Sequence, residues 1–266
     1  MRVLITGTSR GIGRAAALKF LALGHEVHGI DVNPATIAHA QYTHHVADVR
    51  LEEALPDIEG VEILFNNAGV QQGEDDIATN LSGAIRVTEK YIARNPALKS
   101  ILFNASASSV SGQEFPHYVA SKAGLVGYMR NVAIRTAPRG VTCNAISLGG
   151  VLTESNDAVM RDPDMWKAIM DVTPMKKWTD TEEVADWVEF LTMKNRSMSG
   201  ESLLIDNGEY QLRSTFVWPE SADIVRLRPV TDEPRSEAAP DGGSGKNEGG
   251  REKSQPASDS MKKDEA

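Results

Sequence analysis

The chain has 266 residues, 41% of them hydrophobic, and a formal net charge of −9, the length of one large α/β domain with ample material for a core. The acidic balance argues against nucleic acid or an anionic membrane surface as the partner, and no apolar run is long enough to span a bilayer. The single cysteine, Cys143, leaves no internal disulfide and no cysteine metal cluster, and a reducing cytoplasm is the simplest setting.

In chain order, the first apolar run is RVLI, followed by the glycine loop TGTSRGIG. Ile12, Ala16, Phe20 and Leu23 then recur at helical spacing, and Gly24 suits a C-terminal cap. Strand, glycine loop and helix in that order form a phosphate cradle. Gly7 permits the tight turn, Gly11 the approach of backbone to a pyrophosphate, and Gly13 close packing of helix on sheet. The helix N-terminus presents free N–H groups to the phosphates. The second run, EVHGID, ends at Asp31. A carboxylate there would hydrogen-bond an adenosine ribose and repel a 2′-phosphate, which favours NAD over NADP. Arg10 could pair with a 2′-phosphate, so NADP stays open.

HHVAD, VEILF, SILFNA, VTCNAI and SLLID complete seven candidate strands separated by helical patterns or loops. Continuous apolar strands alternating with helices read as an α/β fold, a doubly wound parallel sheet of Rossmann type. Thr179 and Glu182 have the spacing of a capping box. Composition shifts near Pro219. The expected domain is therefore 1–218, followed by a low-complexity tail, 219–266, too polar to order itself. Asp223 to Leu227 could dock.

Together these landmarks resemble the short-chain dehydrogenase/reductase family. The carriers are TGTSRGIG with Ser9, Arg10 and Ile12; Asp48 and Val49 after the third strand; and NNAG, including Asn67, Ala68 and Gly69. YVASK, holding Tyr118 and Lys122, NAISLGGVLT and IDNG follow, and the match covers residues 1 to about 210. The resemblance implies that Asp48 and Val49 meet adenine and that Val151 and Thr153 hold the nicotinamide amide. It implies that Lys122 holds the nicotinamide ribose, that Asn80 supports a proton path to Lys122, and that the chain forms a homodimer or homotetramer through the helices of Asn80 and Tyr118. Leu148 stands where the family usually has proline, and the segments flanking NNAG are short.

Spacing i, i+4 puts Tyr118 and Lys122 on one helix face. A nearby ammonium favours the phenolate, so Tyr118 can serve as acid toward a carbonyl or base toward a hydroxyl. A hydroxyl beside it should hold the substrate oxygen. Ser106, just past the fifth strand, is the first candidate and Ser108 the next. His44 and His45 lack a partner pattern and no metal is expected; His117 reads as an exposed loop residue and Cys143 as core. Met160, Met165, Trp166, Ile169 and Met170 give the segment after Thr153 an apolar side, suiting a lid over a partly apolar small molecule. The expected protein is an NAD-dependent oxidoreductase interconverting a secondary alcohol and a ketone. The alternatives are an NADPH-dependent 3-oxoacyl-carrier-protein reductase and a non-catalytic nucleotide-binding scaffold or sensor.

Overall fold

The computed structural model describes residues 1–212 apart from Gln72, Glu114 and Gln211; the expectations for residues 219–266, docking of Asp223 to Leu227 included, lie outside the described residues. Among the described residues, seven strands form one parallel sheet: β1 (Arg2–Thr6), β2 (Glu26–Asp31), β3 (Tyr42–Val46), β4 (Ile63–Asn66), β5 (Ser100–Asn104), β6 (Thr142–Leu148) and β7 (Ser202–Ile205). Their order is β3-β2-β1-β4-β5-β6-β7, with register set by pairs such as Val3 with Val27 and Val3 with Ile63. The helices are α1 (Gly11–Ala22), α2 (Ala84–Arg94), α3 (Ser108–Ser111), α4 (Pro116–Thr136), α5 (Asp157–Met160), α6 (Pro163–Val172) and α7 (Thr181–Glu189).

The strands read as unbroken apolar runs because both faces are covered. Successive side chains alternate between the two faces. In β1, Val3 and Ile5 join Ala16 and Phe20 of α1 and Val184 and Val188 of α7 in one core layer. Leu4 joins Val87 and Tyr91 of α2 and Leu125 and Met129 of α4 in the other. The doubly wound expectation holds. No α-helix links β2 to β3, and a single 3₁₀ turn, Glu52–Ala54, lies between β3 and β4, which is where the sequence is short.

Helix ends follow local chemistry. Gly24 closes α1 at φ +78°, with Gly24 N–H donating to Leu21 O and His25 N–H to Phe20 O, the paired closure that a left-handed glycine allows. The capping box of α7 is one residue later than its expected place. Asp180, not Thr179, is the cap: its Oδ1 accepts the Glu183 N–H at 2.6 Å, and Glu183 Oε2 accepts the Asp180 N–H at 3.2 Å. Thr179 is instead in an extended bridge to Val151, and its hydroxyl accepts from Asn207. Chain order reverses direction between β1 and β4, so the loops after these two strands diverge and leave a crevice at the carboxyl edge of the sheet.

Candidate active site

A cleft of about 320 Å³ opens at that crevice, lined by Gly7, Arg10, Gly11 and Ile12 from the first loop and by Asp31 and Asn33 beyond β2. Asp48, Val49 and Arg50 beyond β3, Asn67, Ala68 and Gly69 beyond β4, and Thr153 and Glu154 beyond β6 complete the parts used here. Its volume falls in the range of small-molecule sites, about 300–1,000 Å³.

The first loop is built on close approach. Gly7 has φ +76° and Gly11 φ +54°. A methyl group on Gly13 would lie 2.0 Å from the Gly7 carbonyl oxygen and 2.5 Å from Asn67 Nδ2, so only glycine lets α1 start there. Asn67 Nδ2 donates to the Thr6 and Gly7 carbonyls, and Thr6 Oγ1 accepts the N–H groups of Asn67 and Ala68. The two loops are thus stitched across the crevice. No side chain caps the N-terminus of α1, so its first-turn N–H groups remain to meet an anion. Ser9 and Gly13 stand behind the cleft surface, buried.

Asp31 is held rigidly. Its Oδ2 accepts the Ser9 N–H at 3.0 Å, and its Oδ1 accepts the Asn33 N–H and side-chain amide at 2.8 and 3.0 Å. Arg10 is exposed on the opposite lip. Behind them, His44 bridges the Tyr42 hydroxyl, which also meets Thr8 Oγ1, and the Asn33 carbonyl, while His45 meets His28 at 3.1 Å. Both histidines are thus tied into hydrogen bonds, because β3 lies beside β2 and a long tyrosine reaches over Gly29. A side chain at Gly29 would collide with the Tyr42 and Thr8 oxygens.

Beyond β3, Asp48 is clasped by Arg50, whose Nε and Nη2 donate to both carboxylate oxygens. These hydrogen bonds hold the Asp48 carboxyl below its ordinary value. Arg50 also pairs with Asp75 at 2.8 Å. Sequence reading missed Arg50, Asp75 and Asn33. The two-residue steps from Asp48 to Arg50 and from Asp31 to Asn33 were the only signals.

None of the four residues expected to carry chemistry is among the described residues lining the cleft; Lys122 and Asn80 stand next to its wall at Asn104 and Gly69. Lys122 is 4% exposed. Its Nζ donates to the Asn104 carbonyl at 2.7 Å and lies 5.5 Å from the centroid of the Tyr118 ring. Asn104 and Gly69 line the cleft, and a methyl group on Gly69 would stand 3.1 Å from Asn80 Oδ1 and 3.5 Å from Lys122 Nζ. Asn80 sits in a π-helical segment, Ile77–Gly83, before α2, an irregularity common at functional sites. Its side chain pairs twice with the Val70 backbone, at 2.8 Å each way, and donates to Ser121 Oγ at 3.1 Å. Ser121 in turn donates to the Tyr118 carbonyl. Asn80 is thereby a clamp between the loop after β4 and the first turns of α4, a role the sequence alone did not show.

Ser106 is buried just past β5, and its Oγ accepts the Ser108 N–H at 3.2 Å, leaving its own proton free to donate. Ser108 begins α3 and its Oγ has no partner among the described residues. Val151 is buried, and its carbonyl accepts from Asn156 Nδ2 at 2.8 Å. Residues 150–152 pair with Thr179 through Gly150 O and Leu152 N–H. The Trp178 indole presses on Gly150, where a methyl group would lie 2.0 Å from the ring, and Trp166 of α6 meets Trp178 edge to face at 5.1 Å. The segment expected to form a lid folds into α5 and α6; the aromatic pair ties α6 to Trp178, and Met165 is exposed.

A family model described as Enoyl-(Acyl carrier protein) reductase matches residues 7–209. Glucose 1-dehydrogenase of Gluconobacter oxydans is 27% identical over 243 residues, covering 78% of this chain and 91% of that protein. A 3-oxoacyl-[acyl-carrier-protein] reductase of Staphylococcus epidermidis is 26% identical over 244 residues, covering 78% and 98%. Among solved structures, a candidate 2-deoxy-d-gluconate 3-dehydrogenase from Agrobacterium tumefaciens with bound NADP superposes with a TM-score of 0.69 at 25% identity, covering 78% of this chain and 95% of that one. The aldohexose dehydrogenase of Thermoplasma acidophilum gives 0.68 at 25% identity, covering 78% and 93%.

Proposed function

The chain belongs to the short-chain dehydrogenase/reductase family, an oxidoreductase fold that works with a nicotinamide cofactor, and from that premise we propose an NAD-dependent enzyme that interconverts a secondary alcohol and a ketone. The observation that carries the reading is the grouping of Lys122, Asn104, Gly69 and Asn80 at the inner end of a cleft whose outer end holds Asp31.

The residues fit the cofactor's chemistry. The uncapped start of α1 beside Gly11 would receive the pyrophosphate, and the fixed Asp31 carboxylate would accept hydrogen bonds from the adenosine ribose. Val49 and Asp48 would flank adenine; Thr153 and Val151 would bracket the carboxamide. The bound nicotinamide would supply hydride exchange. Tyr118 would pass the proton: to the carbonyl oxygen in reduction, from the hydroxyl in oxidation. The Lys122 ammonium beside the ring favours the phenolate form that oxidation requires. Ser106 would donate to the substrate oxygen and hold it beside Tyr118. Asn80, through Ser121, would fix the helix that carries Tyr118.

Reduction of a 3-oxoacyl thioester with NADPH is the second reading. It is favoured by the Staphylococcus epidermidis relative and by Arg10 on the cleft lip, and opposed by Asp31. One experiment separates the readings: fluorescence titration of the wild type and Tyr118→Phe with NADH and NADPH, followed by turnover of carbonyl and alcohol substrates. The expected result is tighter NADH than NADPH in both proteins, with turnover in Tyr118→Phe lower by about 10²–10⁴-fold. Preference for NADPH would move the thioester reading first. Binding of neither would leave a scaffold without turnover.

A further inference from the structure

A second cavity, of about 300 Å³, adjoins the cleft between α1 and the turn after Thr153, with Arg14, Asp157 and Glu182 among its lining residues. Gly11, Thr153 and Glu154 line both it and the cleft, and so form a shared wall. On that wall Glu154 stands at the start of α1: a methyl group on Gly11 would lie 3.7 Å from Glu154 Oε2 and 3.6 Å from Thr153 Cγ2. The positive end of a helix that no side chain caps favours a carboxylate there. The turn carrying Glu154 is pinned. Asn156 N–H donates to Thr153 O at 2.9 Å, and Asn156 Nδ2 to Val151 O at 2.8 Å. Glu154 itself is exposed, so its side chain can turn while its backbone stays. On the other side of the wall, Arg14 is exposed one turn further along α1, and its guanidinium has no partner among the described residues. The cavity's other carboxylates are engaged: Asp157 pairs with Arg161 at 2.7 Å, and Glu182 accepts from the Thr181 hydroxyl at 3.0 Å. Arg14 is thus the cation left for Glu154.

We propose that Glu154 and Arg14 together set how tightly the chain holds its cofactor. Glu154 competes with the pyrophosphate for the start of α1, and Arg14 receives Glu154 when the pyrophosphate takes that place. The inference rests on the reading of the α1 N-terminus as the pyrophosphate site. A carboxylate beside a diphosphate repels it at contact range even in water. Turning Glu154 into the adjoining cavity relieves that repulsion and forms an ion pair with Arg14. Part of the cofactor's binding energy is therefore spent on moving Glu154. The pair touches the phosphate end of the site and not the reacting atoms, so it governs affinity and leaves the hydride and proton steps to others. A weaker hold eases release of the spent cofactor, the kind of step that limits turnover in many enzymes.

The test is calorimetric titration of the full chain with NADH or NADPH, whichever binds tighter, with ADP, which keeps the pyrophosphate, and with adenosine, which lacks it. Glu154→Gln is expected to bind the cofactor and ADP about fivefold more tightly, the factor that one unit charge about 4 Å away makes in water. Adenosine affinity should be unchanged, and the gain should shrink at high salt. Arg14→Ala should weaken the cofactor by about threefold in the wild-type background and by nothing in Glu154→Gln, because a neutral side chain needs no cation; the double-mutant cycle reads that coupling. Both residues are exposed, so neither change removes a buried contact. Unchanged or weaker cofactor binding in Glu154→Gln, an equal gain for adenosine, or the same loss from Arg14→Ala in both backgrounds overturns the proposal while the cofactor reading stands. Failure of the wild type to bind NADH, NADPH and ADP is a different result: it overturns the cofactor reading, and the proposal with it.

Discussion

On the proposed reading, the single carboxylate of Asp31 sets cofactor choice. Three N–H donors hold it at the end of β2, so it cannot swing away from an incoming 2′-phosphate. Asp31→Asn should weaken NADH, since a hydrogen bond to a charged group contributes roughly 1.5–3 kcal/mol, or about 10–100-fold. It should also strengthen NADPH by removing a negative charge that would repel the 2′-phosphate. Parallel titrations with both cofactors check this; an unchanged NADH-to-NADPH ratio would remove Asp31 from the selector role. Asp31 was legible in the sequence because a strand end about 20 residues past a glycine loop is a fixed place in this topology. The clamp made by Asn80 was not. It depends on how the loop after β4 meets α4, through Val70 and Ser121, segments far apart in the chain.

At the scale of elements, strand and helix identity was readable because each strand is covered on both faces and therefore unbroken in hydrophobicity. The capping box was misplaced by one residue because Thr-x-x-Glu and Asp-x-x-Glu overlap in TDTEE, and only the bridge of Thr179 to Val151 decides between them. That choice can be measured. Asp180→Ala should lower stability by about 0.5–2 kcal/mol, read as a lower melting temperature. It should also loosen the neighbouring 150–152 bridge and raise the KM for cofactor. Glu182→Ala, on the exposed face of the first turn, should do neither. The aromatic contact of α6 was equally hidden: Trp166 and Trp178 were visible as residues, but their contact needs Gly150 to make room.

For the molecule as a whole, the ionisable groups predict the direction of its response to acid. Hydrogen bonds and nearby cations lower the carboxyls of Glu26, Glu62, Glu89, Glu183 and Glu189 below their ordinary 4.5, and Asp48 below 3.8. Such groups stabilise the fold above their unfolded pKa, and the contribution is lost as pH falls through the folded value. Burial lowers His25 and His45 from 6.5. A lowered base binds its proton better when unfolded, so these two also withdraw stability as pH drops below 6.5. Denaturant midpoints should therefore decline on acidification in two stages, first below about pH 6.5 and again below about pH 4.5. A midpoint that rises between pH 7 and 5 would contradict this account.

The strand order has a consequence for how the molecule is made. β1 precedes every other strand in the chain but occupies the third place in the sheet, with Val3 held between Val27 and Ile63. One edge of β1 finds its neighbour early, and the other must wait until β4 has been synthesised. Until then an apolar edge is bare, and pairings of such wide sequence separation form slowly. An emerging chain that stops short of β4 is consequently a species for chaperones to shield, and its half-finished sheet is a surface on which other chains can add.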